Sequence, residues 1–72
     1  MHREVQIREE TIRLGQLLKL VGAIDSGSEA KAYLAREPVK VNGERETRRG
    51  RQLRTGDTVD IGAQLLRVTA RS

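Results

Sequence analysis

Arg48, Arg49, Arg51 and Arg54 fall inside one short stretch, ETRRGRQLR, residues 46 to 54. Guanidinium groups at this density do one kind of chemistry well: they present several permanently charged, fixed donors to phosphate or carboxylate oxygens. The charge distribution points to the same segment. The net charge is +4, yet residues 1–35 hold five basic side chains (Arg3, Arg8, Arg13, Lys19, Lys31) against five acidic ones, and residues 55–72 hold two of each. The whole excess therefore lies in residues 36–54, where Arg36, Lys40, Arg45 and the four arginines outnumber Glu37, Glu44 and Glu46. A clustered excess creates a local positive field that draws phosphate, whereas scattered charges are screened. Charge alone leaves two readings open, a basic surface that grips an anion and a solvated loop that keeps a small protein soluble.

Other chemistry lacks its residues. His2 is the only histidine and there is no cysteine, so neither a metal site nor a disulfide is expected. Ser26 and Ser28 have no histidine near them in the sequence, which leaves nucleophilic catalysis without a base. No acid sits in an apolar setting that would lift its pKa toward a catalytic value. The glycines stand singly, each near a helix end or turn, and form no phosphate-binding loop. The expectation is a protein that is not an enzyme, with no cofactor and no small-molecule substrate. The N-terminal stretch MHREVQIREE is charged throughout, and no segment approaches the ~20 apolar residues of a membrane span. A soluble, cytoplasmic monomer without a membrane partner is expected.

The elements that must carry the arginines can be read from periodicity. A chain of 72 residues suits one domain, residues 1–72, with a core built from aliphatic side chains. Val5 and Ile7 alternate with polar neighbours, as in a short strand. Leu14, Leu17, Leu18 and Val21 fall on one helical face, and Gly22 supplies a stop. Ser26 and Glu29 have capping-box spacing ahead of a second helix, whose Ala30, Tyr33 and Leu34 face the first; Pro38 ends it. The two helices form an αα-hairpin joined by Gly22 to Asp25. Val39 and Val41 then alternate with Lys40 and Asn42 and lead into an Asn42-Gly43 turn. Thr58, Val59 and Ile61, then Leu65, Leu66 and Val68, form a closing β-hairpin reached through Thr55-Gly56-Asp57 and turned at Gly62-Ala63. Between them, residues 44–54 are polar and basic, with Leu53 as their one anchor to the core.

Tyr33 is the only aromatic residue, so a platform for stacking single-stranded bases cannot be built. Basic donors, with backbone amides at a helix start, suit a phosphate backbone whose shape is already set. Structured RNA is the target that chemistry fits. At this point the ordered set LGQLLKLVGAIDSGSEAKAYL, VKVNG and LRTGDTVDI resembles the S-four RNA-binding domain, also called the alpha-L motif, over about Ile12 to Ile61. The run LLKL, SG, AK, VKVNG and ETRR is similar to the small stand-alone bacterial members of the YbcJ type.

The resemblance implies an α+β fold, an αα-hairpin packed on a small, mostly antiparallel sheet, closed by the β-hairpin to about residue 69. It also implies an RNA-binding face along the helices and the loop that follows them. Arg13, Lys19, Ser26, Lys31, Lys40, Asn42 and Gly43 would lie on or beside that face, extended by Arg48, Arg49 and Arg51. Two departures stand out: Gly27 follows Ser26 where many members carry arginine, and Arg36-Glu37-Pro38 stands where a glycine turn is usual. Backbone amides at the second helix start would remain exposed in place of the missing arginine.

Each residue also has a structural reading: Lys19 and Lys31 as solvated helix positions, Ser26 as a cap, Asn42-Gly43 as a turn. None of Arg48, Arg49 and Arg51 is expected to be buried, so replacing all three by alanine should cost RNA binding and spare the fold. The expected function is non-catalytic docking on structured RNA, ribosomal or transfer RNA, or on ribosomal particles. A protein-interaction adaptor and a targeting subunit for an RNA-modifying enzyme are the alternatives.

Overall fold

In the computed structural model, which describes residues 2–62 and 64–70, the two expected helices are short and sit on one face of a sheet. Alternation decides which face. Val41 of β3 (Lys40–Val41) pairs with Val59 of β6 (Thr58–Ile61), which pairs with Leu66 of β7 (Gln64–Ala70), and all three are buried. Lys40, Asp60 and Leu65, one residue out of phase, form the neighbouring cross-strand row on the opposite face. β3 turns back through Asn42 (φ 52°) and Gly43 (φ 86°) into β4 (Glu44–Arg45), two left-handed residues in succession as a tight hairpin demands. The Gly62-Ala63 turn between β6 and β7 is described only at Gly62, whose φ is +79°; Ala63 lies outside the described residues.

The sheet has the order β1-β7-β6-β3-β4, with β1 spanning His2–Ile7. Every pairing is antiparallel except that of β1 with β7, which is parallel and runs from His2 opposite Leu65 to Ile7 opposite Ala70. The strand at Val5 and Ile7 is as expected; its parallel partnership at the far end of the sequence carries no local signal. A second, two-stranded sheet joins β2 (Thr11–Arg13) to β5 (Gln52–Arg54), with Ile12 opposite Leu53. This ladder ties the basic segment to the chain just ahead of the first helix.

α1 covers Leu14–Leu20 and buries Leu14, Leu17 and Leu18. Its C-terminus closes as the Gly22 stop requires: Gly22, at φ +79°, donates to the Lys19 carbonyl (3.1 Å) and Ala23 to that of Leu18 (2.9 Å). A single 3₁₀ turn, Gly27–Glu29, then leads into α2, Ala30–Arg36. Glu29 reaches back as the spacing predicts, accepting from the amides of Ser26 and Asp25 at 3.1 Å each. The Ser26 hydroxyl instead lies 2.9 Å from that of Ser28. Ala30 and Leu34 are buried, Tyr33 half so, and Pro38 follows the last turn of α2.

The architecture is thus α+β, two helices packed on a mostly antiparallel sheet. Its core comprises Val5, Ile7, Leu14, Leu17, Leu18, Ile24, Ala30, Leu34, Val39, Val41, Leu53, Val59, Leu66 and Val68, with no aromatic ring among them. Aliphatic packing is therefore the main source of stability. Leu17, fully buried on the core face of α1, should show it: Leu17→Ala is expected to cost roughly 2–5 kcal/mol. Urea unfolding measures this, and a wild-type midpoint would refute the core assignment.

Candidate nucleic-acid interface

The basic segment is held together by an acid. Glu46 is the only buried charged residue among those described, 6% exposed, and its own amide donates to the Val39 carbonyl at 3.0 Å. Its Oε2 accepts from the amides of Thr47 and Arg48 and from Arg48 Nε, each at 3.1 Å. Its Oε1 accepts from Arg48 Nη2 at 3.2 Å and Arg51 Nη1 at 2.8 Å. Both carboxylate oxygens are thereby filled, and Arg48 binds in the two-pronged manner that guanidinium and carboxylate geometry favours. The Arg48 hydrogen bonds hold the Glu46 carboxyl well below the ordinary range, at about 2, against the opposing push of burial.

The loop so braced docks on α1. Leu14 and Gly15, the first two residues of the helix, donate their amides to the carbonyls of Arg51 and Arg49, both at 2.9 Å. Helix starts leave such amides without intrahelical partners, and here the arginine loop's own backbone takes them. Gly15 makes the approach possible: a Cβ there would stand 3.3 Å from Ala30 Cβ and 3.4 Å from the Arg49 carbonyl oxygen. The N-cap amide, Arg13, donates to Gln16 Oε1 at 3.2 Å.

Between α1, the 3₁₀ turn and the loop lies an open groove lined by Arg13, Gly15, Gln16, Gly27, Ala30, Arg49 and Gly50. Its lining is small apart from Gln16 and the two arginines, and neither guanidinium is in an ion pair among the described residues. Small residues let a backbone come close while the two cations flank it.

The sequence model of the S4 domain matches residues 5–69. The chain belongs to the S4 domain family. The probable ribosome maturation protein RlbA of Bacillus subtilis (strain 168) is 48% identical over 61 residues, 85% of this chain and 86% of that protein. The putative RNA-binding protein YbcJ of Escherichia coli (strain K12) is 39% identical over 59 residues, 82% of this chain and 84% of that one. The solution structure of YbcJ from E. coli, described as revealing an alpha-L motif involved in RNA binding, superposes with a TM-score of 0.65 at 33% identity. That alignment covers 96% of this chain and 86% of the other.

In this S4 domain the residues singled out from sequence divide into three groups. Arg13 and Arg49 line the groove. Ser26 precedes Gly27 at its edge, while Lys19 and Lys31, both exposed, stand one helical turn along from Gln16 and Gly27. Arg48 and Arg51 are bound to Glu46, with side chains 74% and 37% exposed. Lys40 and Asn42 lie away from the groove. Lys40 projects from the outer sheet face between Arg45 and Asp60. Asn42 is a turn residue whose Nδ2 donates to Asp57 (3.2 Å) and whose Oδ1 accepts from the Thr58 amide (2.9 Å).

Two expectations need correction. Arg48, Arg49 and Arg51 are unburied as expected, but two of them neutralise and hydrogen-bond a buried carboxylate, so replacing all three should cost stability as well as binding. Leu53 is also not the segment's sole anchor: Glu46 is a second, missed because a lone acid among arginines reads as a surface charge. The signal was its spacing, with arginines two and five residues on, within reach of one carboxylate.

A depressed carboxyl has a defined pH signature. Above about 4.5, its ordinary value, Glu46 contributes its full stabilisation, and this is lost as pH falls toward about 2. The displacement corresponds to at most ~3 kcal/mol, reduced because water screens the exposed Arg48 edge. Glu46→Gln should flatten that part of the stability profile, measured by urea unfolding between these two pH values; an unchanged slope would show that other carboxyls carry it.

Proposed function

We propose that this S4 domain, taken as one unit over residues 1–72, is a non-catalytic RNA-binding protein that docks on structured RNA through the Arg13–Arg49 groove. One observation carries the reading. Two cations with no ion-pair partner among the described residues flank a floor of glycine and alanine, with Lys19 and Lys31 one turn away and a hydrogen-bonded backbone behind them. That arrangement accepts the backbone of a folded strand by charge and close fit; it offers no set of donors arranged against base edges. Ribosomal RNA, free or within a maturing ribosomal particle in the cytoplasm, is the preferred target. The name of the B. subtilis relative, at 48% identity, supports that choice, and that of the E. coli relative supports RNA in general.

No group of histidine, cysteine, aspartate or glutamate side chains among the described residues could hold a metal, and no described helix is long and apolar enough to cross a membrane. The adaptor alternative differs in what the groove would meet, a few carboxylates on a protein in place of a regular phosphate array.

Salt titration of RNA binding separates the two. Each phosphate contact on RNA should contribute roughly 0.7–0.9 to the slope of log affinity against log salt. Arg13→Ala with Arg49→Ala should lower the slope by about two contacts' worth and leave the thermal midpoint near wild type, since neither side chain is in an ion pair among the described residues. A wild-type protein that binds ribosomal RNA no better than an acidic protein, or a double variant with an unaltered slope, would sink the assignment.

A further inference from the structure

Glu46 poses a question the groove alone does not answer. It is the one negative charge buried among the described residues, and it lies within the basic segment that the proposed function requires to be positive. Electrostatics summed over the face would favour its absence. Its contacts point the other way. Arg48 gives Nε and Nη2 to the carboxylate, which fixes the guanidinium plane while leaving the side chain 74% exposed and the Nη1 donors uncommitted to Glu46. The same carboxylate binds the amides of Thr47 and Arg48 and the tip of Arg51. Between Arg48 and Arg51 stands Arg49, whose carbonyl meets Gly15 and whose side chain lines the groove. An arginine free to swing must lose rotamer entropy when it meets a phosphate; one already clamped on a carboxylate has lost it during folding.

We infer that Glu46 is a positioning residue for phosphate recognition: its buried carboxylate orients Arg48 and the Arg49 turn so that their free donors meet an RNA backbone. This deepens the function proposed above and rests on it. It makes a claim opposite to charge counting, because removing this negative charge should weaken the binding of a polyanion.

The test uses the full chain and a fluorescein-labelled RNA stem-loop, with affinity measured by anisotropy at several salt concentrations where each variant is verified to be folded. Glu46→Gln and Glu44→Gln each raise the net charge by one. Glu44 is exposed on β4 and in no ion pair among the described residues, so Glu44→Gln should bind as tightly as wild type or more so. Glu46→Gln should bind roughly tenfold more weakly, with a shallower salt slope. In an Arg49→Ala background part of that loss should disappear, the share that Glu46 exerts through the Arg49 turn, the non-additivity expected of residues acting through one another.

Should Glu46→Gln fail to fold, Arg48→Lys decides the matter, since it keeps the charge and discards the two-pronged grip: a loss of several-fold supports positioning, and wild-type affinity overturns it. Glu46→Gln that binds as tightly as Glu44→Gln also overturns the inference, while steep salt dependence of the wild-type protein leaves RNA binding standing. Wild-type protein that does not bind the stem-loop at low salt removes both.

Discussion

A carboxylate taken out of water is expensive to hold, and its presence in a fold implies that its neighbours are arranged to offset the expense. Glu46 meets that condition through five hydrogen bonds, two from backbone amides and three from arginines, all within residues 46–51. No such geometry is available to a loose loop. A stretch carrying three arginines in four positions would otherwise repel itself into an extended, solvated conformation. The acid reverses that tendency and turns the stretch into a compact turn whose carbonyls face inward.

Those carbonyls link the charge to the core. Arg49 and Arg51 accept from the first two amides of α1, and Leu14, which carries one of those amides, is itself fully buried. Gly15 allows the close contact and also abuts Ala30 of α2, so one small residue sets the separation of α1 from both the second helix and the loop. On the loop's other side, β5 pairs with β2, and Leu53 and Ile12 meet across that ladder. The groove is therefore bounded by elements fixed to one another by hydrogen bonds and packing. Its backbone amides at α1 are already used, which leaves guanidinium and ammonium groups as the donors that α1 and the loop can present.

Much of this was legible because local rules agreed with one another. The helix faces, the Gly22 stop, the Glu29 back-reach, Pro38 and the Asn42-Gly43 turn are all short-range features, and each appears where its pattern stands. What was not legible depends on long sequence separation. β1 pairs in parallel with a strand some sixty residues away, and β2 and β5 are three residues each, too short for a period to show. The site divides along the same line. Arginine density marked the segment that lines part of the groove, but which guanidinium is spent on Glu46 and which carries no ion pair among the described residues is a matter of tertiary contact. Asn42 and Lys40 share the sequence context of a binding loop; in the fold Asn42 braces the Asp57 turn and Lys40 is an outward residue of the sheet, both apart from the groove lining.

The limits of the surface also shape what kind of recognition it can support. Tyr33 is half-buried, with the Arg36 guanidinium 5.9 Å from its ring centre, so the only aromatic side chain is already engaged with a neighbour. Burial, then the nearby Glu37, pushes its hydroxyl pKa up, which keeps it neutral. Stacking of several bases is out of reach for such a chain, and the remaining donors contact phosphate without identifying sequence. On the function proposed above, specificity would come from the match between a fixed arrangement of charges and the spacing of phosphates on a folded RNA. For a surface with few cations, each one's placement matters more than their sum, which is why an anion buried in the segment that carries them is consistent with binding a polyanion.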